Sequence, residues 1–105
     1  TLFRSDSTKY PESAKHIREA QAAGHSPVLT INRAGANANR KESLKNIATE
    51  KGKDRDEYPP AMFKEGGNGA SVKKIDSSDN RGAGSSIGQQ CRGLACGTQV
   101  KIVVK

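Results

Sequence analysis

The sequence predicts an α+β fold: a small mixed sheet with flanking helices, containing a ββα unit over about residues 54–90. Three stretches carry this expectation. Val100-Lys101-Ile102-Val103-Val104 is a β-rich run suited to a central strand. Ala70-Ser71-Val72-Lys73-Lys74-Ile75 alternates after the turn Gly66-Gly67-Asn68-Gly69, and a capped helix follows it. Between Pro11 and Gly24, apolar and helix-forming residues recur at helical spacing.

Taken in order, Leu2-Phe3-Arg4 is a short edge strand. Ser7 to Glu12 is a helix start, with a polar cap region, an early Pro and an acid in the first turn. Ala14, Ile17, Ala20 and Gln21 continue that helix, and Gly24 ends it as a left-handed cap. His16 and His25 belong to the helix and its exit as surface residues, with no part in catalysis. Ser26-Pro27 breaks the chain, and Val28-Leu29-Thr30-Ile31 is a short buried strand. Residues 33–37 turn, and Asn39 to Ala48 forms a basic helix with Leu44 and Ile47 inward. Arg40, Lys41 and Lys45 on it either touch phosphates or form a solvated face.

Asp54-Arg55-Asp56-Glu57-Tyr58-Pro59 is expected as a loop. Ala61-Met62-Phe63-Lys64 then forms a strand that pairs with residues 70–75. Residues 76–79 cap a helix from about Asn80 to Gln90. Gly82, Gly84 and Gly88 make that helix poor by propensity, which implies a close backbone approach or a function there.

At 105 residues the chain, 1–105, is read as one domain. Mean hydropathy is low, at −0.78, yet the apolar stretches persist, so the chain is not read as disordered. No apolar run approaches a membrane span. Eighteen Lys and Arg against eleven Asp and Glu give a net charge of +7, which points to a polyanion partner, nucleic acid first. The plain alternative is a solvated basic surface. Cys91 and Cys96 flank Arg-Gly-Leu-Ala and are expected as a disulfide, hence an oxidising compartment. Zinc would need two more ligands, and His16 and His25 lie far upstream without finger spacing. The chain begins at Thr1 without a Met and shows no signal peptide, which suits a mature or truncated product.

Phosphodiester hydrolysis needs a base for water, a cation on the phosphate, and stabilisation of the leaving oxygen. Asp56 and Glu57 can supply the base or a metal ligand, and Glu65 is a third carboxylate nearby. Asn80 offers a neutral oxygen at a helix start, suited to Mg²⁺ or Mn²⁺ held mainly by water. Arg55 and Arg81 can clamp phosphate oxygens. The competing reading is a solvated charge run beside an ordinary helix cap. No serine–histidine arrangement is credible, and no G-x-x-x-x-G-K loop is present.

Several segments together carry a resemblance: Tyr10-Pro11-Glu12-Ser13-Ala14-Lys15-His16-Ile17, the run 54–59, Ala61-Met62-Phe63-Lys64-Glu65-Gly66-Gly67, Gly69-Ala70-Ser71-Val72, and Asp79-Asn80-Arg81-Gly82-Ala83-Gly84. In this order they resemble the NucA/NucB family of small secreted bacterial deoxyribonucleases, over nearly the whole chain. The resemblance implies a reduced ββα-metal (His-Me finger) nuclease, secreted, monomeric, and acting on DNA or RNA without sequence preference. Larger ββα nucleases carry Asp-Arg-Gly-His. The matching run here is Asp54-Arg55-Asp56-Glu57, so a carboxylate replaces the histidine base, Asp56 first and Glu57 second. Asn80 matches the helix asparagine that holds the metal. Gln89 or Gln90 falls near the second metal-shell acid, where glutamine is a weaker ligand. Cysteines of the family often stand at the positions of Leu29 and Phe63, so these two are expected to touch in the core.

Two other readings fit the same residues. One is a nuclease toxin module with an immunity or inhibitor protein as partner. The other is a nucleic-acid-binding domain without catalysis, against which the acids at 54, 56 and 57 argue, since acids beside a phosphate track weaken simple binding.

Overall fold

Alternation along two terminal strands builds the centre of the fold. In the computed structural model, which describes residues 2–105, β1 (Leu2–Ser5) and β5 (Gln99–Val104) each bury every second residue. Phe3 and Ser5 face inward on one, Val100 and Ile102 on the other. β5 is the central strand, parallel to β1 and antiparallel to β2 (Val28–Thr30), in the order β1-β5-β2. Backbone bonds from Ser7 N–H to Lys105 C=O and from Lys105 N–H to Ser5 C=O extend the pairing to the end of the chain.

α1 (Pro11–Ala22) begins with Pro in its first turn and Glu12 behind it, and buries Ser13, Ala14, His16, Ile17 and Ala20. Gly24 ends it at φ 109°, with Gly24 N–H bonded to Gln21 C=O and His25 N–H to Ala20 C=O. The helix packs against β3, β4, α3 and β5 and so joins the sheet to the rest of the fold. A 3₁₀ turn, Arg33–Gly35, leads directly into α2 (Ala36–Leu44). This helix starts earlier and stops sooner than the sequence suggested, and Leu44 and Ile47 are only half-buried. Asn39 Nδ2 anchors it to the carbonyls of Ala61 and Phe63, at 3.1 and 3.0 Å.

The ββα unit is present, but its first strand is not where the sequence placed it. β3 is Lys53–Tyr58, the charged run itself, paired antiparallel with β4 (Ser71–Asp76). Residues 61–64 do not form a strand with β4. Phe63 instead bridges Ile31, Lys64 N–H bonds Thr30 C=O, and Asn32 N–H bonds Met62 C=O, which ties this connection to β2. The physical reason is burial: Phe63 is fully buried and seeks the core, while β3 is a two-sided edge that tolerates charge. α3 (Ser77–Cys91) follows β4 without a loop, its N-terminus capped by Asp76, which accepts from Asp79 N–H. The architecture is α+β: three helices, a mixed three-stranded sheet and a two-stranded hairpin.

One core cluster holds Phe3, Ile17, Leu29, Ile31, Tyr58, Phe63, Ile87, Val100 and Ile102. Leu29 and Phe63 both belong to it, but the residue opposed to Phe63 is Ile31 rather than Leu29. Cys91 and Cys96 are free thiols, the first buried at the end of α3 and the second exposed, so the expected disulfide is not formed. Arg33 lies across this turn, donating to the carbonyls of Cys91 and Leu94 and reaching the Cys96 sulfur. Its charge and N–H groups hold the turn without a covalent staple. The argument for an oxidising compartment that rested on that pair falls with it. No described helix is long and apolar enough to cross a membrane.

Candidate functional site

A cleft of about 470 Å³ opens along β3 and the first half of α3. Strand geometry explains how four consecutive charged residues all reach it. Alternate side chains on a strand point to opposite faces. Asp54 and Asp56 face α1 and α3; Arg55 and Glu57 face α2. β3 is one strand of a two-stranded ribbon, so both faces border the same opening.

Asp54 is the anchor of the arrangement. Its carboxylate accepts from Ser77 Oγ at 2.8 Å, Asn80 Nδ2 at 3.1 Å and Arg81 Nε at 3.2 Å, all in the first turns of α3. The Asn80 bond foremost, then Ser77 and Arg81, holds the Asp54 carboxyl below the usual range. Asp54 thereby turns the Asn80 amide so that its nitrogen faces the strand, and the Asn80 carbonyl oxygen has no protein hydrogen bond among the described residues.

The other strand face differs. Glu57 Oε2 accepts from Ser43 Oγ of α2, and burial raises its pKa against that bond. Arg55 donates to Ile47 C=O at 2.9 Å. Arg40, Lys53 and Arg55 line the cleft and give it cationic walls. Asp56 is held by His16, whose Nδ1 lies 2.7 Å from Asp56 Oδ2, while His16 Nε2 lies 2.9 Å from Ser71 Oγ. His16 is 2% exposed, so the expectation of a surface histidine was wrong: α1 turns it inward between β3 and β4.

The helix starts are locked to each other. Asp79 accepts from the backbone N–H groups of Glu12 and Ser13, both at 3.0 Å, and Glu12 Oε2 accepts from Asp76 N–H at 2.9 Å. Each helix thus supplies a carboxylate for free N–H groups at or beside the other's start. This reciprocal cap fixes α1 against α3 and sets the angle at which Asn80 meets Asp54.

Of the residues singled out from the sequence, Asp56, Glu57, Arg55 and Asn80 converge on the cleft. Arg81 stands at its rim, 76% exposed and paired with Asp54. Three expected metal ligands do not. Glu65 binds Thr30 through both its backbone N–H, at 2.8 Å, and its hydroxyl, at 2.9 Å, and so fastens the connection to β2. Gln90 exchanges bonds with the backbone of Arg4, at 2.9 and 3.0 Å, and ties α3 to β1. Gln89 is exposed and away from the cleft. Among the described residues, no three His, Cys, Asp or Glu side chains form a group that could hold a metal.

Sequence reasoning gave no role to Asp54, His16 or Ser71. The available signal was that all three lie in the segments carrying the resemblance. The comparison with known proteins bears on the same segments. A family profile described as "Deoxyribonuclease NucA/NucB" matches residues 7–103.

The chain belongs to the NucA/NucB deoxyribonuclease family.

Among its relatives is a Bacillus subtilis (strain 168) protein named DNA-entry nuclease, 52% identical over 103 residues, which cover 98% of this chain and 69% of that one. The matched span takes in α1, β3, β4 and α3, and with them every residue of the cleft.

Proposed function

We propose that this protein is a metal-dependent endonuclease that hydrolyses DNA phosphodiester bonds without sequence preference, with Asp56 as general base. One observation carries the reading: Asp56 and Asn80 border the same cationic cleft, the acid from the strand and the amide from the helix start. The DNA substrate is supported by the family and by the name of the Bacillus subtilis relative.

Of the three acids on β3, Asp56 suits a base best. Both Asp54 oxygens already accept protein donors, and Glu57 is committed to Ser43 on the α2 side. Asp56 has one oxygen on His16, and its Oδ1 has no protein hydrogen bond among the described residues. That oxygen takes a proton from water. The water oxygen then bonds phosphorus, the bond to the leaving ester oxygen breaks, and that oxygen is protonated from solvent. Arg40, Lys53 and Arg55 offset phosphate charge along the cleft.

The donor set fits a hard divalent ion such as Mg²⁺ or Mn²⁺, which keeps much of its water and needs few protein oxygens. Asn80 would hold it through the carbonyl oxygen that Asp54 leaves free. Bound there, the ion would stabilise negative charge on the phosphate and leaving oxygens.

The test is plasmid cleavage with Mg²⁺ or Mn²⁺, and again in EDTA, for wild type and Asp56→Asn. Wild type should cleave only with metal, and the variant should lose about 10²–10⁴-fold in rate. Full activity in EDTA would remove the metal from the mechanism. Wild-type rates in Asp56→Asn would move the base to Glu57.

A further inference from the structure

We infer that His16 is a positioning residue for Asp56: a buried imidazole strut that holds one carboxylate oxygen so that the other faces the reacting water. The inference rests on the assignment of Asp56 as base. His16 itself cannot meet the substrate, because it is 2% exposed and sits behind Asp56, whose side chain is 16% exposed.

A buried imidazole is costly unless both nitrogens are satisfied, and an aliphatic side chain would fill the same core position without that demand. Here both are satisfied, by residues far away in the chain. With Nδ1–H donating to Asp56 Oδ2 at 2.7 Å, Nε2 is the acceptor for the Ser71 hydroxyl at 2.9 Å. Ser71 opens β4 and is paired with Tyr58 of β3. The ring is therefore held at two points, one on each strand of the hairpin, and carried by a third element, α1. A carboxylate bonded at one oxygen to a fixed ring loses its freedom to rotate. The oxygen left over is the one without a protein partner, on a residue that lines the cleft. Fixing a reacting group in this way is the usual role of residues just behind a catalytic side chain, and their loss costs about 10–100-fold.

The stereochemistry of the two amide side chains gives the test. Asn places its N–H near the Nδ1 position of histidine, and Gln places its N–H near Nε2. Both lose the ring, so both share the packing cost. kcat and KM are measured for His16→Asn and His16→Gln on duplex DNA with Mg²⁺, alongside thermal melts. His16→Gln should lose about 10–100-fold in kcat with KM little changed, and His16→Asn, which keeps the bond to Asp56 but not the one to Ser71, should lose clearly less. In the Asp56→Asn background, His16→Gln should cause no further loss, since it acts through the missing group. Ser71→Ala, which removes the bond at Nε2 and leaves His16 and Asp56 in place, should also lower kcat, and it decides the matter if neither His16 variant folds. Equal kcat for the Asn and Gln variants, a loss confined to KM, losses that multiply in the double variant, or wild-type kcat in Ser71→Ala would each overturn the inference. If Asp56→Asn alone keeps wild-type kcat, the base assignment fails. If that variant is inactive while His16→Gln is fully active, the strut alone fails.

Discussion

Two glycines of α3, Gly82 and Gly88, should respond in opposite directions to the same substitution. An added β-carbon at Gly82 would clash with Tyr10 Cε1 and lie 3.1 Å from Cδ1, while at Gly84 and Gly88 it would meet nothing within 4 Å. Replacing Gly by Ala inside a helix gains about 0.8–1.0 kcal/mol in propensity. Gly88→Ala should deliver that gain whole, raising Tm by about 4–8 °C for a domain of this size. At Gly82 the gain is opposed by overpacking of about 1–3 kcal/mol, because the ring of half-buried Tyr10 must move. The net is a loss of up to about 2 kcal/mol and a lower Tm. Tyr10 immediately precedes α1, so moving its ring disturbs the start of the helix that carries His16. Gly84 lines the cleft and is left out of the comparison. Thermal melts of Gly82→Ala and Gly88→Ala, read with the cleavage rate, test the reasoning. If Gly82→Ala raises Tm as much as Gly88→Ala, the close approach of Tyr10 is not what keeps that glycine.

The two perturbed acids of the cleft should shape acid stability with opposite signs. Asp54 is held below its usual range, so its contribution is present above about pH 3.9 and lost as pH falls through its lower folded value; Asp54→Asn should flatten the acid arm of a Tm-versus-pH curve. Glu57 is raised by burial, so ionising it costs stability as pH rises past about 4.3; Glu57→Gln should melt above wild type at pH 7 and converge with it in acid, and a gap that widens in acid would contradict this. Cys96 is exposed and its thiol lowered by the Arg33 N–H and guanidinium, whereas burial raises Cys91, so alkylation followed by mass spectrometry should label Cys96 first, and a reducing agent should leave Tm unchanged.

Much of the scaffold was legible because its signals are local. The apolar run ending at Val104, the Pro-to-Gly span of α1 and the Asp76 cap of α3 each declare themselves within a few residues. The strand over Lys53–Tyr58 did not, because five charged residues in a row suppress any β signal until residues 54–57 are seen to find partners on the two faces of the ribbon. Ala61–Lys64 misled for the converse reason: Phe63 is apolar because it enters the core, not because its neighbours form a ladder with β4. At the site, Asp56 and Asn80 could be found from the motifs that hold them. His16 could not, since its role depends on partners 40 and 55 residues away. Glu65 and Gln90 carried side chains of the right type for a metal, and only their bonds to Thr30 and Arg4 show that they fasten elements together.

The parallel ladder between β1 and β5 also governs the order in which the molecule can assemble. Leu2 is paired with Lys101, so forming this ladder closes a loop of nearly the whole chain, and the entropy of that closure must be met before the contact repays it. β3 and α3, with β4 between them in the chain, carry most of the cleft. A growing polypeptide released from its amino end therefore exposes every catalytic candidate before the strand that completes the core has been made. Until Val100 and Ile102 arrive, Phe3 and Leu29 have no β5 to pack against. A chain stopped short of Gln99 carries the candidate site residues without the strand that completes the core.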